Sequence, residues 1–286
     1  MREKLYVELK KENLSLITNV TYSNVSSWYD ATRRDLHMDI IVPKSRENHA
    51  PCPAIVWFCG GAFRVMDASV WMAEMIHYAE AGFVVASIEY RTGNEAIFPA
   101  QLVDAKAAVR FLKAHAREFC IDPDKIFSMG ESAGGAIACL LGVTGKIQEL
   151  DQGAYLEKDS NVCGVVDFYG LVDMTISLSE QEGNDIIPPW MLEEILGVRY
   201  SRGQAISASA LYQVTPATPP HMILHGTGDI VVPLEQSVKY YEKLVENGVP
   251  AVLLEIEGAQ HGDDLFCQNL VKDKVIAFMK DIISQC

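Results

Sequence analysis

From about residue 50 to the C-terminus, short continuous apolar runs alternate with stretches in which apolar residues return every three or four positions. A run of four to eight apolar residues bounded by glycine or proline suits a strand buried on both faces, and the longer period suits an amphipathic helix. Pro53 to Cys59 reads as such a strand, ended by Gly60 and Gly61, and Phe83 to Tyr90 as the next, with a helix over Val70 to Ala81 between them. From Gln101 to about Arg117, Leu102, Ala105, Val109 and Leu112 recur at helical spacing. Lys125 to Met129 predicts a short strand, followed by a helix of small residues from about Ser132. Val162 to Phe168 and His221 to His225 predict two more strands. Pro233 opens a helix that places Leu234, Val238, Tyr241 and Val245 on one face and ends at Gly248. Ala251 to Ile256 is the last strand, and the final helix buries Val271, Val275, Phe278 and Ile282. This order predicts an α/β fold with a mostly parallel central sheet and helices on both faces. Within residues 1–45, Asn19 to Val25 and Leu36 to Val42 predict an antiparallel hairpin.

One segment, 174–215, breaks the alternation. It lies between two strands and contains Pro188-Pro189-Trp190-Met191. A connection that long inside a compact domain carries function or structure of its own. There is no internal repeat, low-complexity tract or linker, so residues 1–286 read as a single domain with one insertion.

Gly130-Glu131-Ser132-Ala133-Gly134 falls where a strand gives way to a helix. That is the setting of a nucleophile elbow, in which small flanking residues permit a sharp turn and the hydroxyl stands clear of the sheet. Ser132 is therefore the candidate nucleophile, with a chance turn as the competing reading. A serine hydroxyl needs a base to take its proton, and the motif's chain order is serine, acid, histidine. His37, His49, His77 and His115 precede Ser132, and His221 and His225 flank a strand and read as structural. His261, in a loop after the last strand, is the candidate base. Asp229, between the strand ending near His225 and the helix opened by Pro233, is the candidate acid, and Asp167 and Asp173 are its rivals. Cys59-Gly60-Gly61-Ala62-Phe63 follows the first central strand, where backbone N–H groups free of bulky side chains can approach a tetrahedral oxyanion.

Composition narrows the substrate more than the fold. A net charge of −14 argues against nucleic acid and anionic lipid, and suits a neutral substrate better. No apolar run approaches the ~20 residues that span a bilayer, and no secretory signal is evident, so a cytoplasmic location without a membrane partner is expected. The seven cysteines are scattered without metal-ligand spacing and read as reduced thiols. The chemistry expected of Ser132, His261 and Asp229 needs no metal and no organic cofactor.

Trp57-Phe58-Cys59-Gly60-Gly61-Ala62-Phe63-Arg64 resembles the His-Gly-Gly-Gly block of hormone-sensitive-lipase-like esterases of the α/β-hydrolase fold. Glu89-Tyr90-Arg91, Phe98-Pro99-Ala100-Gln101 and Asp104 to Arg110 resemble the bifunctional feruloyl and acetyl-xylan esterase branch. Asp122-Pro123, the elbow extended by Gly135, and His225-Gly226 with Asp229 and Val232-Pro233 fit the same family. The resemblance covers about residues 36–285. It implies oxyanion donors at the N–H groups of Gly61, Ala62 and Ala133, a cap over the site at 174–215, and hydrolysis of short-chain, acetylated-sugar or feruloyl esters. It also allows a homodimer, although the sequence identifies no exposed patch for one. Two departures stand out, for Cys59 replaces the block's histidine and Ala62 its last glycine. Phe63, Arg64, Trp190 and Met191 are candidates for the substrate pocket, with ordinary packing as the competing reading. An amidase or peptidase on the same fold is the nearest alternative function, and a non-catalytic small-molecule receptor is the alternative from another class.

Overall fold

The computed structural model describes residues 1–45, 50–176 and 189–285. Its centre is an eight-stranded sheet in the order β1-β2-β4-β3-β5-β6-β7-β8. The strands are β1 (Leu14–Ser27), β2 (Thr32–Pro43), β3 (Cys52–Phe58), β4 (Val84–Ile88), β5 (Ile121–Glu131), β6 (Gly164–Phe168), β7 (His221–Gly226) and β8 (Ala251–Ile256). β1 and β2 pair antiparallel, and β2 meets β4 antiparallel. All the other pairings, from β4 through β8, are parallel. The hairpin is longer than the pattern predicts because its outer residues alternate between half-exposed and exposed, which hides the period of two.

The helices are α1 (Met72–Glu80), α2 (Ala100–Ala114), α3 (Ala116–Phe119), α4 (Ala133–Thr144), α5 (Pro189–Leu196), α6 (Arg202–Ser207), α7 (Leu234–Glu246) and α8 (Asn269–Gln285). They cover both faces of the sheet, and the core divides accordingly. One cluster joins alternate residues of β2 to β5 with α2, α4 and α5, and the other joins their neighbours with α1 and α8. Every residue of α4 is buried. A helix can lie that close to a sheet only with small side chains, and Ala133, Gly134, Gly135 and Ala136 provide them at the end that matters. A Cβ on Gly134 would come 2.0 Å from the Phe58 carbonyl oxygen, so this helix start is wedged directly against the end of β3.

The 174–215 segment contributes α5 and α6 to this core. The part of the expected cap at 177–188, including Pro188, lies outside the described residues, as does His49. Among the described residues, no helix is long and apolar enough to cross a membrane.

Candidate active site

In a parallel sheet, ligands collect beyond the carboxyl ends of the strands, where loops and helix N-termini converge. Ser132 follows β5 and caps α4, with φ 54° and ψ −121°. This left-handed conformation is costly for a residue with a Cβ. It is held because the Ser132 N–H donates to the Phe168 carbonyl at 2.9 Å and its own carbonyl accepts from Ala136. His261 lies in the loop after β8, and Asp229 lies beyond β7. The structure brings the three together: His261 Nε2 is 2.9 Å from Ser132 Oγ, and its Nδ1 is 2.7 Å from Asp229 Oδ2.

The Asp229 carboxylate is the best-supported group at the site. Val231 and Val232 N–H donate to Oδ1 at 2.8 and 2.9 Å, and His225 Nε2 lies 3.4 Å from Oδ2. Burial alone would raise its pKa, but the hydrogen bonds from His225, His261 and Val232 outweigh that and hold it well below the usual carboxylate range. An ionised Asp229 places the imidazole proton on Nδ1, which leaves Nε2 to accept from the Ser132 hydroxyl. The rivals are occupied elsewhere. Asp173 accepts from the Thr175 N–H and hydroxyl, and Asp167 is buried with Oδ1 accepting from Gly170 N–H at 2.9 Å.

Facing Ser132 is the loop after β3. Among the described residues, the backbone N–H groups of Gly61, Ala62 and Ala133 donate to no other protein group. Gly61 has φ 129°, and a Cβ there would come 2.0 Å from the Val65 carbonyl oxygen. Ala62 and Phe63 also have positive φ, 53° and 61°, so the alanine that replaces the family glycine occupies a backbone region that glycine occupies without strain. The loop is held without the family histidine. Tyr90 OH donates to the Cys59 carbonyl, while Gly60 N–H and, at 3.1 Å, Trp71 Nε1 donate to Glu131 Oε1. Phe63 O accepts from Gly93 N–H at 2.7 Å. Cys59 turns inward, its thiol accepting from Trp57 Nε1 at 3.2 Å, and burial pushes it up to about 12. Burial also raises the Glu131 pKa, against the pull of the Gly60 and Trp71 donors.

Ser132 and His261 open onto a cleft of about 770 Å³ bordered by Gly61, Ala62, Arg64, Asn94, Met191 and Glu194. Arg64 and Met191, expected along the pocket, line it. Trp190 is not among the lining residues and meets the cleft only through Arg64, whose guanidinium lies 5.5 Å from its ring centroid, and Arg64 Nε pairs with Glu194 at 3.0 Å. Phe63 corrects the expectation for the pocket: it is 1 % exposed and packs into the core, because its left-handed backbone turns the side chain away from the cleft. Among the described residues, no group of three or more His, Cys, Asp or Glu is placed to hold a metal ion.

Besides Tyr90, three contributors escape the sequence reading. His225, taken there as structural, touches Asp229, and its spacing four residues before the aspartate is the one signal for this. Tyr169, with φ 45°, sets its ring edge-on to His261 at a centroid distance of 4.8 Å. Trp71 carries no sequence signal, since it comes from the loop before α1.

A family model described as BD-FAE matches residues 38–244, which is most of the chain. The chain belongs to the BD-FAE family. Among curated proteins it is 29% identical over 245 residues to "Probable carboxylic ester hydrolase LipM" of Mycobacterium tuberculosis, covering 83% of this chain and 55% of that protein. It is 26% identical over 263 residues to "Probable isoprenylcysteine alpha-carbonyl methylesterase ICMEL1" of Arabidopsis thaliana, covering 86% and 52%. The chain thus spans about half the length of the curated relatives it matches. Among solved structures, a truncated carbohydrate esterase from gut microbiota superposes with a TM-score of 0.80 at 28% identity, covering 96% of this chain and 98% of that one. The architecture of this BD-FAE member is the α/β-hydrolase fold.

Proposed function

We propose that this chain is a serine carboxylesterase that hydrolyses small neutral esters through an acyl-enzyme. The observation that carries the reading is the unbroken path from Ser132 Oγ through His261 to Asp229, at 2.9 and 2.7 Å, facing unpaired backbone N–H groups across an open cleft. His261 Nε2 takes the hydroxyl proton as Ser132 Oγ attacks the ester carbonyl. Asp229 holds the imidazole in the productive tautomer and stabilises the imidazolium. The N–H groups of Gly61, Ala62 and Ala133 receive the oxyanion, and the start of α4 adds its dipole. His261 then gives its proton to the leaving alcohol. Water enters, loses a proton to the same nitrogen and releases the acid, restoring Ser132.

The names of the relatives support an ester rather than an amide carbonyl, and the carbohydrate esterase supports sugar esters among the substrates. The cleft, of about 770 Å³, also accommodates a feruloyl ester. Ser132→Ala tests the assignment. It is expected to abolish p-nitrophenyl acetate hydrolysis while leaving the circular-dichroism melting curve in place. Retained turnover would overturn it.

A further inference from the structure

The cleft at Ser132 does not stop at Arg64. Arg64, Val65 and Asn94 also border a second open depression, of about 380 Å³, so the two adjoin, and the second reaches the turn between β1 and β2. Trp28 stands in that depression with 66% of its surface exposed. A large aromatic side chain left in water beside a groove is a common mark of a binding surface.

The turn that presents Trp28 is strained and firmly held. Trp28, Tyr29 and Asp30 have φ values of 51°, 51° and 69°, each costly for a residue with a Cβ. Tyr29 N–H donates to the Glu95 carbonyl at 2.9 Å and its hydroxyl to the Gly93 carbonyl at 3.0 Å, while Ser27 Oγ donates to Glu95 Oε1 at 2.9 Å. The segment that anchors this turn is the one whose Gly93 N–H holds the carbonyl of Phe63. Trp28 and the oxyanion loop therefore share one rigid support.

The floor of the depression selects the ligand chemistry. Arg34 is shared between Glu89 and Glu95, at 3.1 and 3.0 Å, and Arg64 is paired with Glu194. Both guanidiniums are neutralised by carboxylates, which disfavours an anion. A flat indole face beside ordered carboxylate acceptors and guanidinium donors suits a neutral ring with an apolar C–H face and several hydroxyls around its edge.

We propose that Trp28 is the platform of a second subsite, which holds a sugar ring in the alcohol portion of the ester while the acyl group lies at Ser132. This rests on the esterase reading and adds to it where the alcohol is recognised. The test compares acetylated xylose with acetylated xylotriose. The wild type should favour the trisaccharide through a lower KM, and Trp28→Ala should cut the trisaccharide-to-monosaccharide ratio of kcat/KM about 3- to 10-fold. Trp28→Phe should restore most of the ratio. Calorimetry of unacetylated xylotriose with Ser132→Ala, with and without Trp28→Ala, reads the subsite independently of turnover and should show weaker binding without the indole. A ratio and an affinity that ignore Trp28 overturn the subsite. Loss of p-nitrophenyl acetate turnover in the wild type would instead overturn the esterase reading, leaving the xylotriose titration to judge the subsite.

Discussion

Asp167 and Asp229 belong to neighbouring strands, one near the end of β6 and the other just past the end of β7, and both carboxylates are withdrawn from water. Their surroundings differ in the number of donors. Asp229 is met by two backbone N–H groups and two imidazoles, and its pKa falls far below the ordinary range. Asp167 has one N–H on Oδ1, none on Oδ2, and burial raises it to about 6 despite the field of His225. Burial is common to both, so the partners decide the direction of the shift. The loop after β7 supplies N–H groups because it turns sharply around Asp229. The Asp167 carboxylate lies instead in a slot between Gly135 and Gly170, where a Cβ on either glycine would come 2.4 Å from Oδ1.

The largest expected difference between the two lies in turnover. Asp229→Asn should lower kcat by about 10³- to 10⁴-fold, because an amide N–H facing Nδ1 favours the wrong imidazole tautomer. Asp167→Asn should change kcat only a few-fold. Equal losses in p-nitrophenyl acetate assays would break the comparison.

Stability against pH sharpens it next. The folded pKa of Asp167 lies above the ~3.9 of an unfolded chain. The folded state therefore holds the proton more tightly, and the site costs stability increasingly as pH rises from about 4, with the full cost present above about 6. Asp229 has the opposite sign: its contribution is present above the unfolded pKa and is lost as pH falls through the folded value. Denaturant unfolding at pH 4.5 and 8 should show a loss of about 2 kcal/mol in the wild type that Asp167→Asn does not share. Identical pH slopes in the two proteins would remove the charge-state argument.

The smallest effect is expected at His225, whose Nδ1 accepts from Ser237 Oγ at 2.6 Å and whose Nε2 donates to the Val232 carbonyl at 2.9 Å. His225→Gln should lower kcat about 3- to 10-fold at neutral pH by loosening the loop that carries Asp229, with most of its hydrogen bonding preserved. Its kcat loss should grow as pH falls, because Asp229 loses a donor to its ionised form. A pH-independent loss would assign His225 a packing role alone.

The alternation of apolar runs made the six parallel strands legible; the inner ones are buried on both faces and carry continuous apolar sequence, while β8, at the sheet edge, is only partly buried. β5 is the informative miss. The apolar pattern begins at Lys125, whereas the strand begins at Ile121, because Asp122, Pro123 and Asp124 interrupt the run while Cys52 still pairs with Ile121 across a register shift. At the site, Ser132, Asp229 and His261 were legible from chain order and from their positions after strands. Phe63 was not, since its direction follows from a backbone turn that the residue type does not encode. Glu131, Tyr90 and Trp71 hold the oxyanion loop from three separate elements, and no spacing in the sequence links them.

Local sequence was enough to place the parallel strands, the strand-to-helix turn at Ser132 and the three side chains that meet there, because each depends on periodicity, turn sterics or order along the chain. Tertiary structure decided the rest: which way burial and its partners shift each aspartate, what replaces the missing histidine beneath the oxyanion loop, and whether an aromatic residue lines the cleft or the core. Those outcomes depend on hydrogen-bond donors and packing surfaces delivered by residues far apart in the chain, and they exist only once the strands have brought those residues together.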